Sequence, residues 1–246
     1  MKTIYIVLFL LLAAANCQAA ELAVGSFSSG DLSGWEDKAF KGKTIYTLVP
    51  EEGKKVLMAR SQHAASGLLK KITLDARKYP LLRWSWKVAR TVKKEDITKK
   101  SGDDFAARVY VVFPRSFFWQ TRAINYVWSA KMPKNSSAPS PYTANAMIVA
   151  VESGDEKAGN WVAEEQNVFE DYKRLFGADP PKIGAVAVMT DTDDTGDDVT
   201  AWYGDISLSD KGTAPAAHAA GAGAPVSRPA SSVSPAVSPV SPVPLR

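Results

Sequence analysis

The chain has 246 residues, 23% of them charged and 46% hydrophobic, with a formal net charge of +4, which is the profile of an ordinary globular protein. A single Cys excludes a disulfide framework and a Cys-based zinc centre. Of the two His, one (His218) falls in a low-complexity tail, so any His-dependent chemistry rests on His63 alone.

Residues 1–20 read as a secretory signal. Lys2 is followed by the apolar run Ile4–Ala15, which is too short to span a bilayer, and small residues allow an exit after Ala19. Cleavage there removes Cys17 and leaves a thiol-free chain suited to an oxidising compartment outside the cytoplasm, with no transmembrane segment in the mature form. Lipidation of Cys17 is the weaker alternative, because Ala14-Ala15-Asn16 lacks the Leu that such signals carry. Residues 21–210 then form one domain, which holds all seven Trp.

Within that domain, alternation dominates over helical periodicity. The predicted strands are 44–49, 82–88, 108–113, 123–129, 146–151, 183–189 and 200–208. In 82–88, Leu82, Trp84, Trp86 and Val88 share one face; in 123–129, Ile124, Tyr126 and Trp128 do. In 200–208 the pattern sets Trp202, Ile206 and Leu208 against Tyr203, Asp205 and Ser207. Only 164–176 reads as helix, with Val168, Phe169, Tyr172, Leu175 and Phe176 at helical spacing and Gly177 and Pro180-Pro181 as the stop. The expected fold is an all-β sandwich of jelly-roll type with one short helix. Residues 211–246, rich in Pro, Ala, Ser and Val, read as a disordered tail or spacer.

Two resemblances sharpen this. The opening Phe27-Ser-Ser-Gly-Asp-Leu-Ser-Gly-Trp35 and the closing Tyr203-Gly-Asp-Ile-Ser-Leu208 are similar to the first and last strands of galactose-binding-like jelly rolls, a shape used by carbohydrate-binding modules. Leu82–Val88, Gly102–Arg108, Ile124–Ser129 and Met189–Gly196 together resemble the secreted bacterial family filed as domain of unknown function 3047 (DUF3047). That second resemblance implies a fold and an exported location, and contributes no catalytic residues.

Four constellations are candidates for chemistry. The turn Asp191-Thr-Asp-Asp-Thr-Gly-Asp-Asp198 offers Asp191, Asp193 and Asp194 as oxygen ligands for Ca²⁺, with Asp205 as a further ligand; the other reading is a solvated turn. It is not an EF-hand loop, since Trp202 stands where the bidentate Glu belongs. Asp103, Asp104 and Arg108 read either as a buried ion pair or as part of a ligand site, with Glu152 as a partner should paired carboxylates do acid–base work. Trp119 and Tyr142 lie in expected loops, and with Asn125 they suit a sugar face; Tyr126 and Trp128 read as core. The eleven Lys and Arg between Lys70 and Lys100 read as a solvated face, leaving the loop 93–100 free to meet an anionic glycan or lipid surface. His63 reads as structural, and an export signal argues against a nucleic-acid partner. The expectation is an exported binding protein for a saccharide or envelope polymer. The rivals are a glycan-active enzyme using Asp/Glu chemistry and an envelope interaction protein.

Overall fold

The computed structural model describes residues 20–210; the signal-sequence and tail expectations lie outside the described residues. Thirteen strands and one helix follow in chain order: β1 (Glu21–Gly25), β2 (Trp35–Lys41), β3 (Ile45–Glu51), β4 (Lys54–Gln62), β5 (Ala65–Leu74), β6 (Leu81–Val88), β7 (Ala107–Phe113), β8 (Arg122–Ser129), β9 (Ser137–Ser140), β10 (Thr143–Ser153), β11 (Val162–Asn167), α1 (Val168–Phe176), β12 (Ile183–Asp191) and β13 (Asp198–Ser209). They form two sheets. One runs β11-β6-β13-β4-β3, with β1 also pairing β13; the other runs β2-β5-β12-β7-β8-β10-β9. Only the β8–β10 pair is parallel among these pairings. This is the expected β-sandwich.

Strand parity decides what lies between the sheets. Cross-strand neighbours Leu68, Val188, Val109, Tyr126 and Val149 form one inward row of the seven-stranded sheet. Opposite them stand Leu57, Leu82, Trp84, Trp86, Tyr203 and Leu208, all part of the same core. Trp86 is its centre: its ring meets Trp84 edge-on at 5.3 Å and Trp128 at 5.9 Å. Two tyrosines pin the sheets together through polar contacts. From β13, the Tyr203 hydroxyl donates to the Met189 carbonyl of β12 at 2.6 Å and accepts from the Arg108 amide of β7. From β3, the Tyr46 hydroxyl donates to the Ser66 carbonyl of β5 at 2.6 Å.

Three local expectations change. Strand β13 does not keep one alternation throughout: its register shifts between Tyr203 and Ile206, so Tyr203 is buried and Trp202 is half-buried under Lys87. Gly204 suits that irregularity, because a Cβ there would collide with Ser85 Oγ. The segment Phe27–Gly34 is a turn with a short 3₁₀ piece and left-handed Gly30 and Gly34, not a first strand. The helix begins at Val168, since residues 162–167 are drawn out as strand against β6 and Asn167 caps the helix by accepting the Glu170 amide at 3.1 Å.

Removing the ring at the centre of the core should show its weight. Trp86→Ala is expected to cost about 3–5 kcal/mol of unfolding free energy, read from denaturant titration of the full chain.

Candidate functional site

The outward face of the seven-stranded sheet carries the rows Lys38–Gly67–Met189–Arg108–Val127–Ala150 and Glu36–Leu69–Ala187–Tyr110–Asn125–Ile148. At one end, the chain between β6 and β7 and the chain between β8 and β9 fold over this face. They cover Val127, Ile148 and Ala150 with Phe105 and Met132 in a second small core, and Ile97 and Ala138 pack against it. Their attachment is polar: buried Glu95 accepts the Ser129 hydroxyl and, at 2.6 Å, the Ala130 amide. Burial raises the Glu95 carboxyl, with those donors pulling the other way.

Under that cover sits Arg108, 2% exposed. Its Nε donates to Asp191 Oδ1 at 2.8 Å, one terminal nitrogen to Asp191 Oδ2 and the Asp103 carbonyl, and the other to Asp103 Oδ1 at 3.2 Å and the Tyr110 hydroxyl at 3.3 Å. The guanidinium's N–H groups are thereby all engaged. Asp191 Oδ1 also accepts the Phe105 amide at 3.1 Å. Burial pushes the Asp191 carboxyl up to about 7, against the pull of Arg108. The ion-pair reading of Asp103 and Arg108 thus describes the geometry, with Asp191 as the second anion.

The sequence-nominated cation ligands separate. Asp191 is taken up by Arg108, and Asp205 accepts the Ser28 amide at 2.8 Å and the Ser28 hydroxyl. Asp193 and Asp194 instead come together with Asp104, one carboxylate oxygen from each lying within 4.8 Å of the others. Asp104 Oδ2 accepts the amides of Asp194 (3.1 Å) and Thr195 (2.6 Å).

The aromatic candidates occupy neighbouring loops. Trp119 is 59% exposed and stacks on Phe117, centroids 4.7 Å apart and planes 14° from parallel. Tyr142 is 53% exposed; its hydroxyl donates to Asp194 Oδ2 at 2.7 Å, and Lys100 lies over its ring at 5.2 Å. Asn145, three residues beyond Tyr142, donates to the Trp119 carbonyl at 2.9 Å and joins the two loops. Asn125 is the exception. It is 3% exposed between Tyr110 and Ile148, its Oδ1 without a hydrogen-bond partner, so it offers no open amide to a sugar. Next to Asp194 and Thr195 a groove of about 550 Å³ is lined by Lys93, Lys94, Lys99, Lys131 and Asp96, which pairs with Lys99 at 3.0 Å. His63 is exposed in the β4–β5 turn at φ +50°, its amide bonded to the Asp197 carbonyl, in keeping with a structural role.

Glu152 belongs to a different edge. It accepts Lys134 Nζ at 3.0 Å and Lys157 Nζ at 2.8 Å. Burial would raise the Glu152 carboxyl, yet the two ammonium groups hold it below its ordinary value. Nearby Glu164, on β11, has Oε1 buried without a hydrogen-bond partner. Burial, reinforced by the Glu152 charge, pushes it up to about 7, against the pull of Lys134, Trp86 and Lys157. Glu164, Lys134 and Lys157 carry no spacing signal in the sequence, and Glu164 lies on β11, outside the helix that starts at Val168.

Residues 33–207 match the family described as protein of unknown function (DUF3047). No curated protein matches the chain. Among solved structures, a mutant family 29 carbohydrate-binding module complexed with mannohexaose is similar at 11% identity and a TM-score of 0.39, covering 78% of this chain and 92% of that one. The family 30 carbohydrate-binding module of a cellulosomal cellulase of Clostridium thermocellum is similar at 12% identity and a TM-score of 0.41, over 73% and 93%. The glycoside hydrolase domain of Endo-D from Streptococcus pneumoniae R6 is similar at 13% identity and a TM-score of 0.39, over 74% of this chain and 22% of that one.

Two outcomes follow from these ion pairs. Asp191→Ala leaves Arg108 buried without its main counter-ion and is expected to cost about 3–5 kcal/mol in denaturant unfolding. Glu164 has a folded-state value above that of the unfolded chain. Its contribution to stability is therefore full below the unfolded-chain value and is lost as pH rises through about 7. Glu164→Gln should match the parent near pH ~5 and exceed it by about 1–3 kcal/mol near pH ~8, measured by urea titration at both.

Proposed function

Since the chain belongs to the family described as protein of unknown function (DUF3047), whose description assigns no activity, we propose that it is an exported, non-catalytic protein that binds a saccharide of the cell envelope. The observation that carries this is the pair of solvent-facing rings, Trp119 and Tyr142, on loops joined by Asn145. Flat apolar rings that are held in place before the ligand arrives, by Phe117 beneath one and Asp194 on the other, suit the apolar face of a pyranose without a large ordering cost. The lysine-lined groove beside Asp194 favours an acidic saccharide, since clustered ammonium groups draw carboxylates or phosphates by a field that salt screens. Export rests on the signal-like residues 1–20, and among the described residues no helix is long and apolar enough to cross a membrane.

A second reading has its own observation. Glu152 and Glu164 have carboxyl groups shifted in opposite directions, as an acid and a base in glycoside hydrolysis are. That reading requires reducing ends to be released from a polysaccharide, and the release to vanish in Glu164→Gln.

The binding reading is tested by affinity electrophoresis of the full chain through gels holding neutral polysaccharides or polyuronates. Retention should be strongest with polyuronate and weaken with added salt. Trp119→Ala and Tyr142→Ala should each lower affinity about tenfold, equivalent to about 1.4 kcal/mol. Migration unaffected by any of these polymers, or retention untouched by the double variant, would discard it.

A further inference from the structure

Asp104 presents a problem that the protein atoms leave unsolved. Its side chain is fully buried, with Oδ2 holding the amides of Asp194 and Thr195, while Oδ1 has no hydrogen-bond partner. An ionised carboxylate with one oxygen desolvated and unpaired is costly. One carboxylate oxygen of Asp104 lies within 4.8 Å of one from each of Asp193 and Asp194. Thr195 Oγ1 is also buried without a partner, on the residue whose amide is bound to Asp104.

We propose that Asp104, Asp193 and Asp194, with the Thr195 hydroxyl, hold a divalent cation, and that the all-oxygen donor set selects Ca²⁺. Hard cations take carboxylate and hydroxyl oxygens in flexible numbers, and water completes the shell. Asp103, Asp104, Asp191, Asp193 and Asp194 crowd one corner, where Arg108 is already saturated by Asp103 and Asp191. Lys41 reaches the rim from an exposed side chain, its Nζ 3.5 Å from Asp193 Oδ2 and donating to the Asp193 carbonyl at 2.9 Å. The site differs from the one expected along the acidic turn, since Asp104 comes from the far side of the sequence and replaces Asp191 and Asp205. The cation would also brace Asp194, which fixes the Tyr142 hydroxyl.

The test uses the full chain, stripped with chelator and then titrated with CaCl₂ in a calorimeter and in thermal melts, with no saccharide present. One Ca²⁺ should bind per chain. At a hundredfold excess over the dissociation constant, the melting temperature should rise by about 4 °C or more. Asp193→Asn should bind at least about tenfold more weakly, since one ligand charge is gone. Asp104→Asn keeps an acceptor for both amides and removes the buried charge. It should melt no lower than the parent in chelator, yet gain nothing from Ca²⁺. No heat and no rise at about 10 mM CaCl₂, which exceeds the range of weak extracellular sites, would overturn the proposal. A parent-like response from both variants would do so as well.

Discussion

The arrangement of the outward face follows from burying one guanidinium. Arg108 cannot lose its proton, so a buried position is tolerable only if every N–H finds an acceptor and the charge is balanced. Those acceptors come from three places in the sequence: the turn before β7, the end of β12, and Tyr110 on the same strand. Meeting the requirement draws Asp103 and Asp191 together, and it sets Phe105 over the small outer core, because the Phe105 amide is bound to the same carboxylate. With these elements fixed, Asp104 and the 193–195 turn have little freedom. The acidic corner is in that sense a by-product of a structural ion pair.

The two sheets are locked by a similar device. Tyr203 and Tyr46 each cross the core and spend a hydroxyl on backbone groups of the opposite sheet, where a purely apolar contact would leave the spacing loosely specified. Tyr203 also accepts the amide of Arg108, so the inter-sheet pin and the outward ion pair share a residue across the thickness of one sheet. The bare outer surface near Trp119 and Tyr142 therefore rests on a stiff base, and its loops vary above it.

The sequence disclosed the strands whose alternation or β-branched and aromatic content is strong. Alternation in 82–88 and 123–129 assigned Trp84, Trp86, Tyr126 and Trp128 to the core as the structure has them. The unbroken apolar run 146–151 is explained by two cores, Val149 and Val151 facing one and Ile148 and Ala150 the other. Strands β1, β4 and β5 were not among the predicted ones, and β2, β9 and β11 were silent, since Trp-Glu-Asp-Lys-Ala-Phe-Lys, Ser-Ala-Pro-Ser and Val-Ala-Glu-Glu-Gln-Asn are extended chiefly because a neighbour's edge is there to pair with. At the site, loop position marked Trp119 and Tyr142 as exposed. The division of labour within the acidic turn was not legible. Asp191 is still on β12 while Asp193 is past its end, and Asp104, which accepts the amides of Asp194 and Thr195, lies on another segment.

Strand β13 pairs with β1, β4 and β6, so the six-stranded sheet is organised around the last strand of the fold, and Glu21 lies opposite Ser209. A chain emerging from the ribosome could assemble the β3–β4 hairpin early, but the strand that completes this sheet is synthesised after every other one. Most of the apolar residues of β1, β4 and β6 must wait for it, and long loops must be closed before their contacts repay the entropy. This sheet can therefore close only after β13 has been made, and its non-local pairings favour slow folding. Until then the apolar edges of β4 and β6 lack their partner strand, the kind of exposure that favours aggregation.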